Sequence, residues 1–179
     1  MRLLRSLSSD VGQQEKMTIC EAKPSDAIWP QVAALFPEAV AYLDDPADDG
    51  DYRFLVATDK SGNLLGGSVI EIGDLALGPL AEVPAGFVEN IEVIEAHRRK
   101  GTGAALLVAT LDLAWRSGCE SVRSTVDYSN SAALALYRSQ GLGFIPKEDP
   151  DAAEPDLCYS IVAINPDRVQ KGYGCQPSH

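Results

Sequence analysis

The residues most suited to chemistry lie together: Val93-Ile94-Glu95-Ala96-His97-Arg98-Arg99-Lys100-Gly101-Thr102-Gly103-Ala104. An apolar, alternating run from Phe87 to Ile94 leads into a polar elbow. Three consecutive cations, Gly-Thr-Gly and a helical pattern follow. Cations at a helix start are unfavourable by about 0.3–1 kcal/mol each, because that end of the macrodipole is already positive. Three of the chain's 15 Lys+Arg residues stand there nonetheless. An anion seated on the helix end resolves the conflict, and the glycines let backbone N–H groups approach it. The segment reads as a phosphate or pyrophosphate cradle. No Gly-x-x-x-x-Gly-Lys-Ser/Thr run occurs, so it is not a P-loop. A dinucleotide fingerprint needs a third glycine where Leu106 stands, and antiparallel-looking strands precede it, which disfavours a nucleotide-dependent oxidoreductase.

The elements that must hold this cradle follow from periodicity. Residues 1–17 are polar and without period, and read as a loose arm. A strand is expected over Thr18 to Lys23, with Pro24-Ser25-Asp26 as stop and helix cap. Ile28, Val32, Leu35 and Phe36 then give Ala27 to Phe36 a helical stripe, and a second short helix follows Pro37. Asp44 to Asp51 holds five aspartates, either a solvated loop or a rim that attracts cations. Tyr52 to Thr58 and Leu64 to Ile72 form a hairpin around Asp59-Lys60-Ser61-Gly62-Asn63. The Gly/Pro-rich Gly73 to Gly86 is a loop.

Phe87 to Ile94 is the strand before the cradle. Strict alternation sets Phe87, Glu89, Ile91 and Val93 on one face and Val88, Asn90, Glu92 and Ile94 on the other. Beyond the cradle, Leu107, Leu111, Ala114 and Trp115 mark a helix that ends near Gly118. Glu120 to Asp127 is a strand showing Val122, Ser124 and Val126 on one face. Ser129 or Asn130 caps a helix that carries Tyr137 and ends at Gly141, and Leu157 to Ile164 is a last strand. This order makes an α/β layered domain with an antiparallel first half.

Bulk properties narrow the function. A chain of 179 residues, 45% hydrophobic and 23% charged, fits one soluble globular domain with a sizeable core. A net charge of −11 argues against general nucleic-acid binding and is compatible with a cationic substrate. Cys20, Cys119, Cys158 and Cys175 form no CxxC pair, and the two histidines are His97 and His179. A metal site is therefore not expected, and reduced thiols in a cytoplasmic protein are. No run is long enough for a membrane span, and Leu3-Leu4 is too short for a signal-peptide core.

The cradle motif, Arg-x-x-Gly-x-Gly at Arg98, Gly101 and Gly103 after a strand, resembles the coenzyme A pyrophosphate loop of the GNAT acetyltransferases. Val88 to Val93 looks like that family's fourth strand. Asn130-Ser131-Ala132-Ala133-Leu134-Ala135-Leu136-Tyr137 is similar to its Asn-x-x-Ala-x-x-Leu-Tyr helix, at the family's usual distance from the cradle. Where the family has Gly-Phe shortly after the tyrosine, this chain has Gly141-Leu142 and then Gly143-Phe144. The resemblance covers about residues 18–164. It implies the α/β (α+β) GNAT fold, a mixed, mostly antiparallel sheet of six to seven strands flanked by about four helices. The domain would span 18–165, with a tail over 166–179.

The resemblance also implies roles. Backbone amides from Arg99 through Lys100, Gly101, Thr102 and Gly103 to Ala104 would hold the pyrophosphate of acetyl-CoA, with Arg98 beside them. Ile91, Glu92 and Val93 would pair with the pantetheine arm, or else belong to a fully paired core strand. Asn130 would bond the coenzyme, or simply cap its helix. Tyr137 would protonate the departing thiolate, or serve as a core side chain. A thiol near pKa 8.5 and a phenol near 10 make such a transfer feasible. Because a protonated amine must lose a proton, Glu89 or Glu92 is the candidate base, with Asp127 behind them and water as an alternative. If alternation holds, only one of Glu89 and Glu92 faces the acetyl group, and Glu89 is preferred. His97 reads as a surface turn residue. The expected activity is N-acetyl transfer to a small-molecule or protein amine; the alternative is an acyl-CoA-binding module without turnover. Acyl length and a homodimer stay open.

Overall fold

The computed structural model describes residues 17–45, 48–73, 84–147 and 158–167. The expected arm over 1–17, apart from Met17, and most of the 166–179 tail lie outside these residues, as does much of the Gly73–Gly86 loop. Strand β1 (Thr18–Ala22) is followed by α1 (Trp29–Leu35) and α2 (Pro37–Asp44). Then come β2 (Asp51–Thr58), β3 (Leu64–Gly73), β4 (Ala85–Val93), a single 3-10 turn (Glu95–His97) and α3 (Thr102–Arg116). β5 (Ser121–Asp127), α4 (Ser131–Ser139), β6 (Gly143–Lys147) and β7 (Cys158–Ile164) complete the order. No helix among the described residues is long and apolar enough to cross a membrane.

The seven strands form one sheet in the order β1-β2-β3-β4-β5-β7-β6. Every pairing is antiparallel except β4 with β5, which is parallel. That parallel ladder is short: Ala85, Gly86 and Phe87 face Ser121, Val122 and Arg123, and no pairing follows. Beyond Phe87 the two strands part, and a cleft opens between them.

Helices cover both faces. On one, Leu106, Leu113 and Ala114 of α3 pack on Leu55, Ile70, Val88 and Val122. Ser68 of β3 and Thr110 of α3 share a buried hydrogen bond of 2.6 Å, which pins the helix to the sheet. On the other face, Val32, Phe36 and Ala39 pack on Phe54, Val56 and Val69. α4 closes a third cluster, where Leu134 and Tyr137 meet Leu107, Val126 and Ile161.

Two local expectations are corrected. Ser25 and Asp26 do not cap α1. The Asp26 carboxylate accepts the Lys23 N–H (2.8 Å) in a turn, and α1 starts at Trp29 without a side-chain cap and with proline in its first turn. There the missing proline N–H costs nothing. The strict alternation of β4 also fails. Val69 faces Asn90 while Ile70 faces Val88, so Glu89 is an extra, bulged residue. Val88 therefore shares the α3 face with Ile91 and Val93. Glu89 and Asn90 both turn to the α2 side, where they line one cavity with α2 residues. Glu92 is on that face too, because it is paired with Gly67, whose Cβ direction points at the Phe36 ring.

Candidate active site

The cleft between β4 and α4 has a volume of about 730 Å³. Its β4 wall is Ile91, Glu92 and Val93; its floor is Arg98, Arg99, Gly101, Gly103 and Ala104. Asn130 and Tyr137 line the α4 side. Ten of the residues singled out by sequence thus meet in one cavity. Lys100, which is exposed, and Thr102, which is buried, are not on its walls. Sequence reasoning missed Ala132, Ala133 and Leu136, which add an apolar wall. Their signal was the small and apolar spacing of α4 itself.

The floor can receive an anion. α3 begins at Thr102 with Gly101 as its N-cap and no side-chain hydrogen bond to the first turn. The first N–H groups of a helix lack intrahelical partners, so these donors are left to a ligand. Gly101 sits at φ +87°, a left-handed conformation that glycine adopts without strain. Arg99 is also left-handed, at φ 60°. Backbone strain of this kind concentrates at ligand clamps.

The β4 wall is an open edge. β3 pairs with it as far as Val93, but the β5 ladder stops at Phe87, so the backbone of Ile91 to Val93 has no strand on the cleft side. Arg98 occupies part of that edge, donating from Nε to the Val93 carbonyl (2.9 Å) and from Nη2 to Glu92 Oε1 (2.7 Å). Asn130 is the N-cap of α4: its Oδ1 accepts the Ala133 N–H at 3.0 Å. Its carbonyl is committed to the cap, which leaves the Nδ2 donors for a ligand.

Tyr137 is 5% exposed, and its hydroxyl donates to Ser124 Oγ at 3.1 Å. Ser124, also 5% exposed, donates to the Val88 carbonyl at 2.9 Å. Burial holds the phenol above its ordinary pKa, and the bond with Ser124 partly opposes this. Sequence placed Ser124 on an inward face but gave no sign of this contact.

Glu89 stands apart from the cleft. With Asn90 it borders a cavity of about 230 Å³, roofed by Phe36, Glu38 and Tyr42 from the α1–α2 elbow. Tyr42 stacks on Tyr52 (5.3 Å), and Tyr52 donates to Asp48 Oδ2 (3.0 Å). Desolvation, then the charges of Glu71 and Asp48, raise the Glu89 carboxyl above the usual carboxylate range, although its side chain reaches solvent. Glu71 is raised for the same reasons, by desolvation and by Asp48 and Asp49. Asp127 lies elsewhere, its carboxylate accepting the Ser129 N–H at 2.6 Å. Among the described residues, no group of three or more His, Cys, Asp or Glu could hold a metal ion.

A model of the acetyltransferase (GNAT) family matches residues 21–144, which contain the bulged strand, the cradle and the tyrosine helix. The chain belongs to this family. Among curated GNAT-like relatives, a mycothiol acetyltransferase of Renibacterium salmoninarum is 32% identical over 88 residues, 49% of this chain and 25% of the relative. An N-alpha-acetyltransferase MAK3 of Arabidopsis thaliana is 37% identical over 60 residues, 34% of this chain and 30% of the relative. The chain thus spans a third or less of the length of these relatives. The crystal structure of Arabidopsis thaliana NAA60 in complex with acetyl-CoA superposes with a TM-score of 0.63 at 14% identity. It covers 83% of this chain and all of that one. At that identity the likeness shows the shared GNAT fold.

Proposed function

We propose that this GNAT protein is an acetyl-CoA-dependent N-acetyltransferase acting on a cationic primary amine. The observation that carries this reading is the joining of an uncapped helix N-terminus and a buried tyrosine hydroxyl in one cleft, where β4 and β5 part. The residues present fit the co-substrate. The first amides of α3 and Arg99 suit its pyrophosphate, and the open edge of Ile91 to Val93 suits the amide-bearing arm of pantetheine.

The acceptor approaches from the other side of β4, through the cavity between Tyr42, Glu38 and Glu89. Its carboxylates draw a cation in, and the raised Glu89 carboxyl is a better proton acceptor than an ordinary glutamate. Glu92 is not chosen because its carboxylate is already engaged by Arg98. The bulge, which brings Glu89 and Asn90 to one face, aims Glu89 at the acceptor. Once neutral, the amine attacks the thioester carbonyl; as the C–S bond breaks, the nitrogen gives its extra proton to water and Tyr137 supplies the proton the leaving sulfur takes. That transfer is uphill, since the thiol pKa is about 8.5 and an unperturbed phenol about 10. No nucleophilic side chain and no metal enter this scheme.

A thiol-release assay with acetyl-CoA against polyamines, aminoglycoside-like amines, lysine and amino-terminal peptides tests the reading. Turnover is expected with at least one amine, fastest with polycationic ones; silence across the panel would sink it. The burial of Tyr137 and its bond to Ser124 also suit a purely structural side chain in a module that binds acyl-CoA without turnover. Coenzyme A binding with no thiol release would select that second reading.

A further inference from the structure

We infer that Ser124 is the positioning residue for Tyr137, turning its hydroxyl from the Val88 carbonyl to the tyrosine oxygen as the phenol gives up its proton. The inference rests on Tyr137 acting as the acid. Each hydroxyl carries one proton. At rest the proton of Tyr137 lies toward Ser124 Oγ (3.1 Å), and that of Ser124 toward Val88 O (2.9 Å). To protonate a thiolate, Tyr137 must swing its O–H away from Ser124. The O–H bond breaks, an S–H bond forms, and the phenolate oxygen keeps the electron pair.

Among the described residues, Ser124 is the one group hydrogen-bonded to the Tyr137 oxygen. Tyr137 belongs to an apolar cluster with Leu107 of α3, Val126 of β5, Leu134 of α4 and Ile161 of β7, with Ile91 of β4 and Leu111 of α3 packed against it, all uncharged. Glu92, Arg98 and Arg99 line the same cleft, where Arg98 is engaged by Glu92 and the Val93 carbonyl. Ser124 reaches the new anion by rotation about one bond. An anionic acceptor makes a stronger hydrogen bond than the neutral Val88 carbonyl does. After the thiol departs, a buffer acid or hydronium entering the open cleft returns the proton. Ser124 has a second, purely architectural duty. Its bond to Val88 lies where the β4–β5 ladder has just ended, so it fastens the vertex of the cleft.

The test uses the full chain, acetyl-CoA and the fastest amine of the panel. Ser124→Ala is expected to lower kcat about tenfold, the size of one lost hydrogen bond to a charged group. Coenzyme A affinity should stay within about twofold, and the basic limb of the pH profile should move up, because the phenolate loses a donor. Ser124→Thr should restore both rate and limb. Ser124→Cys, which keeps the volume but is a weak donor, should repeat the loss and the shift if the alanine variant does not fold. A wild-type rate and basic limb in either the alanine or the cysteine variant overturns the inference. Tyr137→Phe, run alongside, separates the two layers. Undiminished kcat there removes the acid role itself, whereas a slow Tyr137→Phe with an unshifted Ser124→Ala removes only the role of Ser124.

Discussion

Gly103 has no packing reason to be glycine. A Cβ there would meet Val93 Cγ2 at 3.6 Å and Leu136 Cδ2 at 3.7 Å, which are ordinary contacts between two walls of the cleft. What a methyl group would occupy is part of the cleft proposed to hold coenzyme A. Gly103→Ala is therefore expected to weaken coenzyme A binding at least tenfold, roughly the effect of a displaced charge-assisted hydrogen bond. Its denaturation midpoint should hold or rise, since alanine is favoured over glycine in a helix by about 0.5–1 kcal/mol. Calorimetric titration beside a thermal melt reads both. Glu89 makes a prediction of the opposite kind, in rate rather than affinity. A base works only when deprotonated, so the rate should climb with pH through a midpoint above the ordinary glutamate value of about 4.3. Glu89→Gln should remove that acid limb and cost about 100-fold in kcat. An unchanged acid limb would assign the proton to water or to another group.

At the scale of elements, the glycine pair of β3 decides how closely the layers meet. A Cβ on Gly67 would stand 2.8 Å from the Leu55 carbonyl and 2.8 Å from the Phe36 ring. One of these is backbone and cannot yield. Gly67→Ala should destabilise the fold by about 1–3 kcal/mol through overpacking, seen as a lower urea midpoint with an unchanged slope. Most elements were readable because burial imposes a period on them. The apolar stripe of α3, the hairpin held by Asp59 accepting from Ser61 and Asn63, and the Asn130 cap all follow from local residue chemistry. The bulge at Glu89 was not readable, because nothing in β4 alone says that β3 opposes it with one residue fewer. Ser124 illustrates the same limit. Its alternation placed it inward, but its partners Val88 and Tyr137 come from two other elements that only the fold brings together. The candidate cradle stood out because its glycines and cations are contiguous in the chain.

For the whole molecule, charge is the governing property. The net charge of −11 draws cations in from a distance. Glu38 and Glu89, on the cavity proposed for the acceptor, and the nearby Glu71 and Asp48 would give that attraction a local end point. The screening length falls from about 30 Å at 0.01 M salt to about 8 Å at 0.15 M. The KM for a polycationic amine should accordingly rise several-fold over that range, while the KM for a neutral-tailed amine changes little. Equal salt dependence for both would deny the cavity its electrostatic role. The short parallel ladder has a mechanical consequence as well. Four strands lie on one side of it and three on the other, each set joined by its own antiparallel ladders. Among the described residues, the backbone joins the sets through the ladder of Ala85 to Phe87 with Ser121 to Arg123 and the Glu120 N–H to Pro84 carbonyl bond beside it. Such a seam can breathe without either set unravelling, so those amides of Ser121 to Arg123 that point at β4 rather than β7 should exchange with deuterium sooner than those of β2 and β3. A coenzyme lying across the seam would act as a splint, and its first sign would be slower exchange at the β4-facing amides.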